Sequence, residues 1–198
     1  MKMRTHNICF LGQTGFGKSS LINILFGSHF NTDPLVSCTK ELYSVMTIES
    51  TSRYDAIIVF DTPGIGEFSN NSQYQMFYEY AVSQANHIVL VVSMDRTDTT
   101  SQDLLLSVKD HINCNDVKFT IALNRIDSAG VDNSGGEDCL WNMVENVPSE
   151  LCLNKIERRI ATIKMNFGED IDFLPFEVVP VCALRNYGID DLKRRIMQ

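Results

Sequence analysis

Gly12-Gln13-Thr14-Gly15-Phe16-Gly17-Lys18-Ser19 fits the pattern G-x-x-x-x-G-K-[ST] and lies between an apolar run and a helix-like run. His6 to Leu11 is short, apolar and closed by a glycine, as expected of a strand buried on both faces of a parallel sheet. Ser20 to Phe26 places Leu21, Ile24 and Leu25 on one helical face and stops at Gly27. Strand, loop and helix thus follow in the order that a phosphate-cradling loop needs. Glycine at both ends lets the backbone N–H groups of Gln13, Thr14, Gly15, Phe16, Gly17, Lys18, Ser19 and Ser20 curl around an anion, and the helix start adds partial positive charge. Lys18 would reach the outer phosphates, and Ser19 would offer its hydroxyl to Mg²⁺. The expected ligand is a nucleoside polyphosphate.

Working outward, the remaining chain alternates strands and helices without an internal repeat. Leu42 to Glu49 and Tyr54 to Phe60 read as two strands of a hairpin, and Asn71 to Ala85 as a helix whose Tyr74, Phe77, Tyr78 and Ala81 form a core-facing aromatic stripe. His87 to Val92 reads as a buried strand, and Thr100 with Asp103 as a capping box for a helix running to about Ile112. Val117 to Leu123 is a further strand, Ser149 to Phe167 a helix, Phe176 to Val181 the last strand, and Ile189 the start of a short terminal helix. Such alternation predicts a doubly wound α/β fold, which binds ligands beyond the carboxyl ends of its strands. Residues 128–148, which include Gly135-Gly136, read as a surface insertion with a short helix around Trp141.

Two further segments fall at predicted strand ends. Asp61-Thr62-Pro63-Gly64 follows the strand ending at Phe60, where an aspartate can hold Mg²⁺ and the Gly64 N–H can bond a third phosphate and sense its loss. Asn124-Arg125-Ile126-Asp127 follows the Val117 strand. A carboxylate at Asp127 can accept from the ring N–H and the exocyclic amino group of guanine, a donor pair that adenine lacks, so GTP is expected over ATP. A site built on that acceptor rejects the wrong base by leaving a carboxylate unpaired. Asn124 would tie the base loop to the phosphate loop, and the Arg125 stem could cover one purine face. Cys182-Ala183-Leu184 follows the last strand, where the Ala183 N–H could bond the guanine carbonyl.

Composition sets outer limits. With 198 residues, 44% hydrophobic and 21% charged, the chain is expected to be one globular domain with a full core. A net charge of −8 argues against a large sequence-independent grip on nucleic acid, DNA included, or on anionic membrane. Lys155, Arg158, Arg159 and Lys164 share a predicted helix and read as its solvated face. The opening residues carry no charged-plus-apolar leader and no apolar stretch approaches a membrane span, so a cytoplasmic location is expected. Six cysteines without C-x-x-C spacing suit reduced thiols, and four histidines without ligand spacing do not suggest zinc.

The chain resembles the Era-like GTPases of the TRAFAC class, the 50S ribosome-binding type. The segments 12–19, 61–64, 124–127 and 182–183 match the family's first, third, fourth and fifth nucleotide motifs in order, over nearly the whole length. The resemblance implies a P-loop three-layer α/β/α sandwich with a mostly parallel sheet, GTP and GDP as ligands, Mg²⁺ as cofactor, and hydrolysis with catalytic roles at Lys18, Thr39 and Gly64. Thr39, in Ser37-Cys38-Thr39-Lys40, sits where the family carries its switch I threonine, which makes Ser19, Thr39 and Asp61 the implied metal ligands. Departures matter as well. Ile65 stands where Ras-type enzymes carry a water-orienting glutamine, and Gly15 where some relatives carry a potassium-binding asparagine, so intrinsic hydrolysis is expected to be slow, with Glu67 or a partner's group as substitute. Arg125 replaces the usual lysine, and Cys182 the usual serine.

Two function classes follow from the resemblance. One is a GTP-hydrolysing switch whose segments 31–41 and 61–71 order around GTP and are read by a ribosome or other effector. The other is a nucleotide-dependent assembly module of septin-like or immunity-related type, pairing as a homodimer through its nucleotide faces with negligible turnover. The final helix begins close to the last residue, which leaves room for continuation in a longer protein.

Overall fold

Strands β1 (Thr5–Leu11), β3 (Ala56–Asp61), β4 (His87–Ser93), β5 (Lys118–Asn124) and β8 (Phe176–Pro180) run parallel, and β2 (Tyr43–Thr47) lies antiparallel on the β3 edge. Their order is β2-β3-β1-β4-β5-β8. The computed structural model describes residues 3–30, 43–47, 53–64, 72–96, 100–129, 141–171 and 173–198. Runs such as His-Ile-Val-Leu-Val-Val-Ser leave no polar face, and β4 is buried at every position because helices cover both sides of the sheet.

Helices α1 (Lys18–Phe26) and α5 (Ile189–Ile196) cover one side, where Leu21, Ile22, Leu192 and Ile196 pack on Phe10, Val89 and Val91. Helices α2 (Ser72–Gln84), α3 (Thr100–Val108) and α4 (Glu150–Asp170) cover the other, where Tyr78, Leu105 and Ile156 join the cluster of Leu11, Leu90 and Ile121. The fold is therefore a three-layer α/β/α sandwich with one antiparallel edge strand. Ser149 caps α4 by accepting from the Cys152 N–H at 3.2 Å, as a Ser before an apolar-periodic helix should. Among the described residues, no helix is long and apolar enough to cross a membrane.

Two local expectations change. The segment around Trp141 is a hairpin rather than a helix: β6 (Trp141–Asn142) pairs antiparallel with β7 (Val147–Pro148). Asn142 Oδ1 accepts from the N–H groups of Val144 and Glu145, and Asn146 takes a left-handed φ of 55°, so asparagine side chains and conformations close the turn. Thr100 is the first helical residue of α3 rather than its cap, and its hydroxyl accepts from Gln13 Nε2 at 2.5 Å.

At the amino ends of β1 and β4, His6 and His87 are buried. His6 Nε2–H donates to the Ile196 carbonyl at 2.6 Å, and His87 Nε2 exchanges a hydrogen bond with Thr120 Oγ1 at 2.9 Å. Burial depresses both imidazole pKa values, His87 to about 3, with the neighbouring His6 and Lys118 charges adding to the effect on His87.

Candidate functional site

All five parallel strands deliver their carboxyl ends to one edge of the sheet, and the motifs lie there. Gly12 leaves β1 with φ 142°, and a side chain on it would drive into the Val91 carbonyl oxygen. Gly17, at φ 90°, forms the left-handed N-cap of α1, and a side chain there would occupy the place of Asn124 Nδ2. Both positions need glycine for conformation and for space. Lys18 is buried, and its ammonium spans the loop, donating to the Gly12 carbonyl at 3.0 Å and the Gln13 carbonyl at 3.3 Å. A cation is thus held over the turn where phosphate would sit.

The second motif meets the first side-on. Ser19 Oγ donates to Asp61 Oδ2 at 2.6 Å, with Asp61 fully buried at the end of β3. Thr62 Oγ1 donates to the Phe10 carbonyl at 2.8 Å, which pins the segment to β1. Gly64 lies so close to Thr14 that a side chain on it would meet Thr14 Oγ1, Cα and N. The Thr14 hydroxyl is itself buried and has no hydrogen-bond partner among the described residues. Tyr78 OH donates to the Pro63 carbonyl at 3.0 Å, and burial pushes its phenol up to about 12, so it stays a donor at ordinary pH. The predicted aromatic stripe of α2 therefore anchors this segment as well as filling the core. Thr39, Ile65 and Glu67 lie outside the described residues.

The base end is joined to the phosphate end by one side chain. Asn124, 2% exposed, donates through Nδ2 to the Phe16 carbonyl at 2.9 Å and accepts at Oδ1 from the Ala183 N–H at 3.1 Å. The amide serves an acceptor-only and a donor-only backbone partner at once, one from each of its ends. The Ala183 N–H, expected at the guanine carbonyl, is thus committed to Asn124. Arg125 takes a left-handed φ of 60° and places its guanidinium 3.6 Å from Asp95 Oδ2. Asp127 itself lies in a 3₁₀ turn, Ile126–Ser128, with Arg185 Nε 3.5 Å from Oδ2. The Cys182 thiol is raised to about 12 by burial first and by its hydrogen bond to Asp127 second. Leu184 is 83% exposed.

Residues 7–125 match the family described as 50S ribosome-binding GTPase. The chain belongs to that family. It is an Era-like P-loop GTPase domain. GTPase Era of Rickettsia akari is 25% identical over 153 residues, which cover 75% of this chain and 48% of that protein. Cell division control protein 10 of Saccharomyces cerevisiae is 38% identical over 76 residues, 34% of this chain and 24% of that protein. The crystal structure of Era in complex with MgGDPNP and nucleotides 1506–1542 of 16S ribosomal RNA shares the fold, with TM-score 0.66 at 19% identity, over 99% of this chain and 57% of that one. The chain therefore spans about half the length, or less, of these curated relatives.

Sequence reading did not find Thr62, Tyr78, Arg185 or Asn146. Thr62 lies inside a motif that is read for its neighbours, helical spacing marks Tyr78 only as core, and Arg185 and Asn146 belong to no pattern with a mechanism attached.

Proposed function

We propose that this domain binds GTP with Mg²⁺, hydrolyses it slowly, and serves as a nucleotide-dependent switch in the cytoplasm. The observation that carries the reading is Asn124, whose amide joins the phosphate loop at Phe16 to the base loop at Ala183. One ligand long enough to touch both loops, a guanine nucleoside polyphosphate, fits that arrangement. The paired oxygens of Ser19 and Asp61 suit a hard divalent cation, and Thr39 would add a third oxygen. Mg²⁺ held there would neutralise charge on the outer phosphates. The orphan Thr14 hydroxyl and the close approach of Gly64 mark where a third phosphate would wedge between the loop and the segment that opens at Asp61. Hydrolysis there means that a water oxygen bonds the terminal phosphorus as the bridging P–O bond breaks, leaving GDP and phosphate. Lys18 and the α1 start stabilise the developing charge, while Ile65 supplies no polar group to orient the water.

Era is the relative whose solved complex contains 16S ribosomal RNA, which supports a ribosome or RNA effector. A second reading, nucleotide-dependent pairing, draws on the 38% identity to cell division control protein 10. Specific activity at saturating GTP, measured across protein concentrations with and without Mg²⁺, separates the two. A slow, Mg²⁺-dependent, concentration-independent rate is expected of the switch. Turnover absent at every concentration removes hydrolysis from the proposal and leaves the assembly module. A rise toward the roughly 10³-fold or more that a catalytic group in trans can supply keeps the hydrolysing switch and adds activation by self-association.

A further inference from the structure

The hairpin β6–β7 stands against the base loop and grips it at two points. Asn146 Oδ1 accepts from Trp141 Nε1 at 3.2 Å while its Nδ2 donates to the Arg185 carbonyl at 2.8 Å. Again one partner can only donate and the other only accept, and the two ends of the amide meet both. The Trp141 ring, 4% exposed, meets the Tyr187 ring edge-on at 5.4 Å between centroids. Tyr187 closes the loop by exchanging backbone hydrogen bonds with Cys182 at 2.9 and 3.1 Å. Residues 182–187 are therefore clamped by Asn124 at the Ala183 N–H and by Asn146 at the Arg185 carbonyl.

What the second clamp fixes is the origin of the Arg185 side chain, whose buried Nε lies 3.5 Å from Asp127 Oδ2, an ion-pair approach in which that nitrogen has no hydrogen-bond partner among the described residues. The Cys182 thiol also faces that carboxylate, and it is a weaker donor than a hydroxyl would be. A guanidinium charge 3.5 Å from one carboxylate oxygen biases where that carboxylate points more strongly than a neutral thiol does. We infer that Arg185 is a positioning residue that sets the Asp127 carboxylate for the Watson–Crick-edge donors of guanine, and that the hairpin, through Asn146, holds Arg185 in place. The inference rests on the guanine reading above and adds to it the residues that fix base selectivity.

The test compares GDP with IDP, whose base lacks the exocyclic amino group, by calorimetry on the wild type, Arg185→Ala, Arg185→Lys and Asn146→Asp. A misaimed carboxylate loses its second hydrogen bond, so the GDP-over-IDP preference should fall roughly tenfold in Arg185→Ala and in Asn146→Asp. Arg185→Lys should recover part of it. Merely structural damage would lower both affinities equally and leave the ratio alone, and that result overturns the inference. So does a ratio within about twofold of wild type in both variants, or tighter GDP binding by Arg185→Ala, which would make Arg185 a competitor of the base. Trp141 is the sole tryptophan, so its emission reports whether the hairpin in Arg185→Ala stays folded. A wild type that prefers neither GDP nor IDP over ADP would instead remove the guanine reading itself.

Discussion

The phosphate end and the base end of this site are held in different ways. At the phosphate end, shape comes from the backbone: three glycines in one loop with φ of 142°, 78° and 90°, a helix start, and a lysine folded over loop carbonyls. At the base end, shape comes from side chains drawn from separate segments, with Asn124, Asp127, Asn146 and Arg185 meeting around a loop that has little regular structure. A backbone-built site tolerates few substitutions and reads an anion of any nucleotide. A side-chain-built site can be retuned one residue at a time, and in the proposed function it carries the selectivity.

The largest effect should come from attacking the backbone-built end. Gly12→Ala places a methyl group against the Val91 carbonyl at a φ that alanine avoids, and should cost about 2–4 kcal/mol of stability in urea denaturation. A loss under about 1 kcal/mol would mean that the loop is less rigid than the comparison requires. Next, Asn124→Ala leaves the Phe16 carbonyl and the Ala183 N–H without their partner, at about 2 kcal/mol in the nucleotide-free domain. It should also weaken GDP and ADP binding together, since it uncouples both ends; loss of GDP binding alone would place Asn124 with the base end only.

A third region provides the control. His6 and His87 sit at the opposite ends of the strands, and both are depressed mainly by burial. A base whose folded pKa lies below its unfolded value stays neutral in the fold while the unfolded chain takes up protons, so stability is full above about pH 6.5 and falls with acid toward the folded value near 3 for His87. His87 alone should remove about 1.4 kcal/mol between roughly pH 7.5 and 5.5. Thermal melting of His87→Gln across that range should show a flatter profile, with the GDP-to-ADP ratio unchanged; an equally steep profile would mean that other groups carry the acid sensitivity.

Much of this was legible in sequence, for physical reasons. Short runs such as Ile88 to Val92, apolar throughout and rich in β-branched residues, suit strands buried on both faces, and the glycine loop has a fixed place between strand and helix. Asn124 and Asp127 were legible because their spacing has a chemical purpose. The hairpin was not, since Trp141 to Pro148 pairs over only two residues on each strand and its turn rests on asparagine side chains rather than on periodicity. Arg185 was hidden likewise: its contact to Asp127 joins positions far apart in sequence. The Ser19 to Asp61 contact was foreseeable only as two motifs sharing one cation.

Guanine selection by Asp127 is the claim on which the others depend, and exchanging the base tests it most directly. Calorimetry in Mg²⁺ should show the wild type binding GDP far more tightly than ADP or XDP. In Asp127→Asn, GDP should weaken by roughly a hundredfold, the scale of a lost charge-assisted pair, while XDP tightens because its carbonyl accepts from the new amide. Equal affinity for GDP and ADP in the wild type, or an Asp127→Asn variant with unaltered preference, would contradict the account.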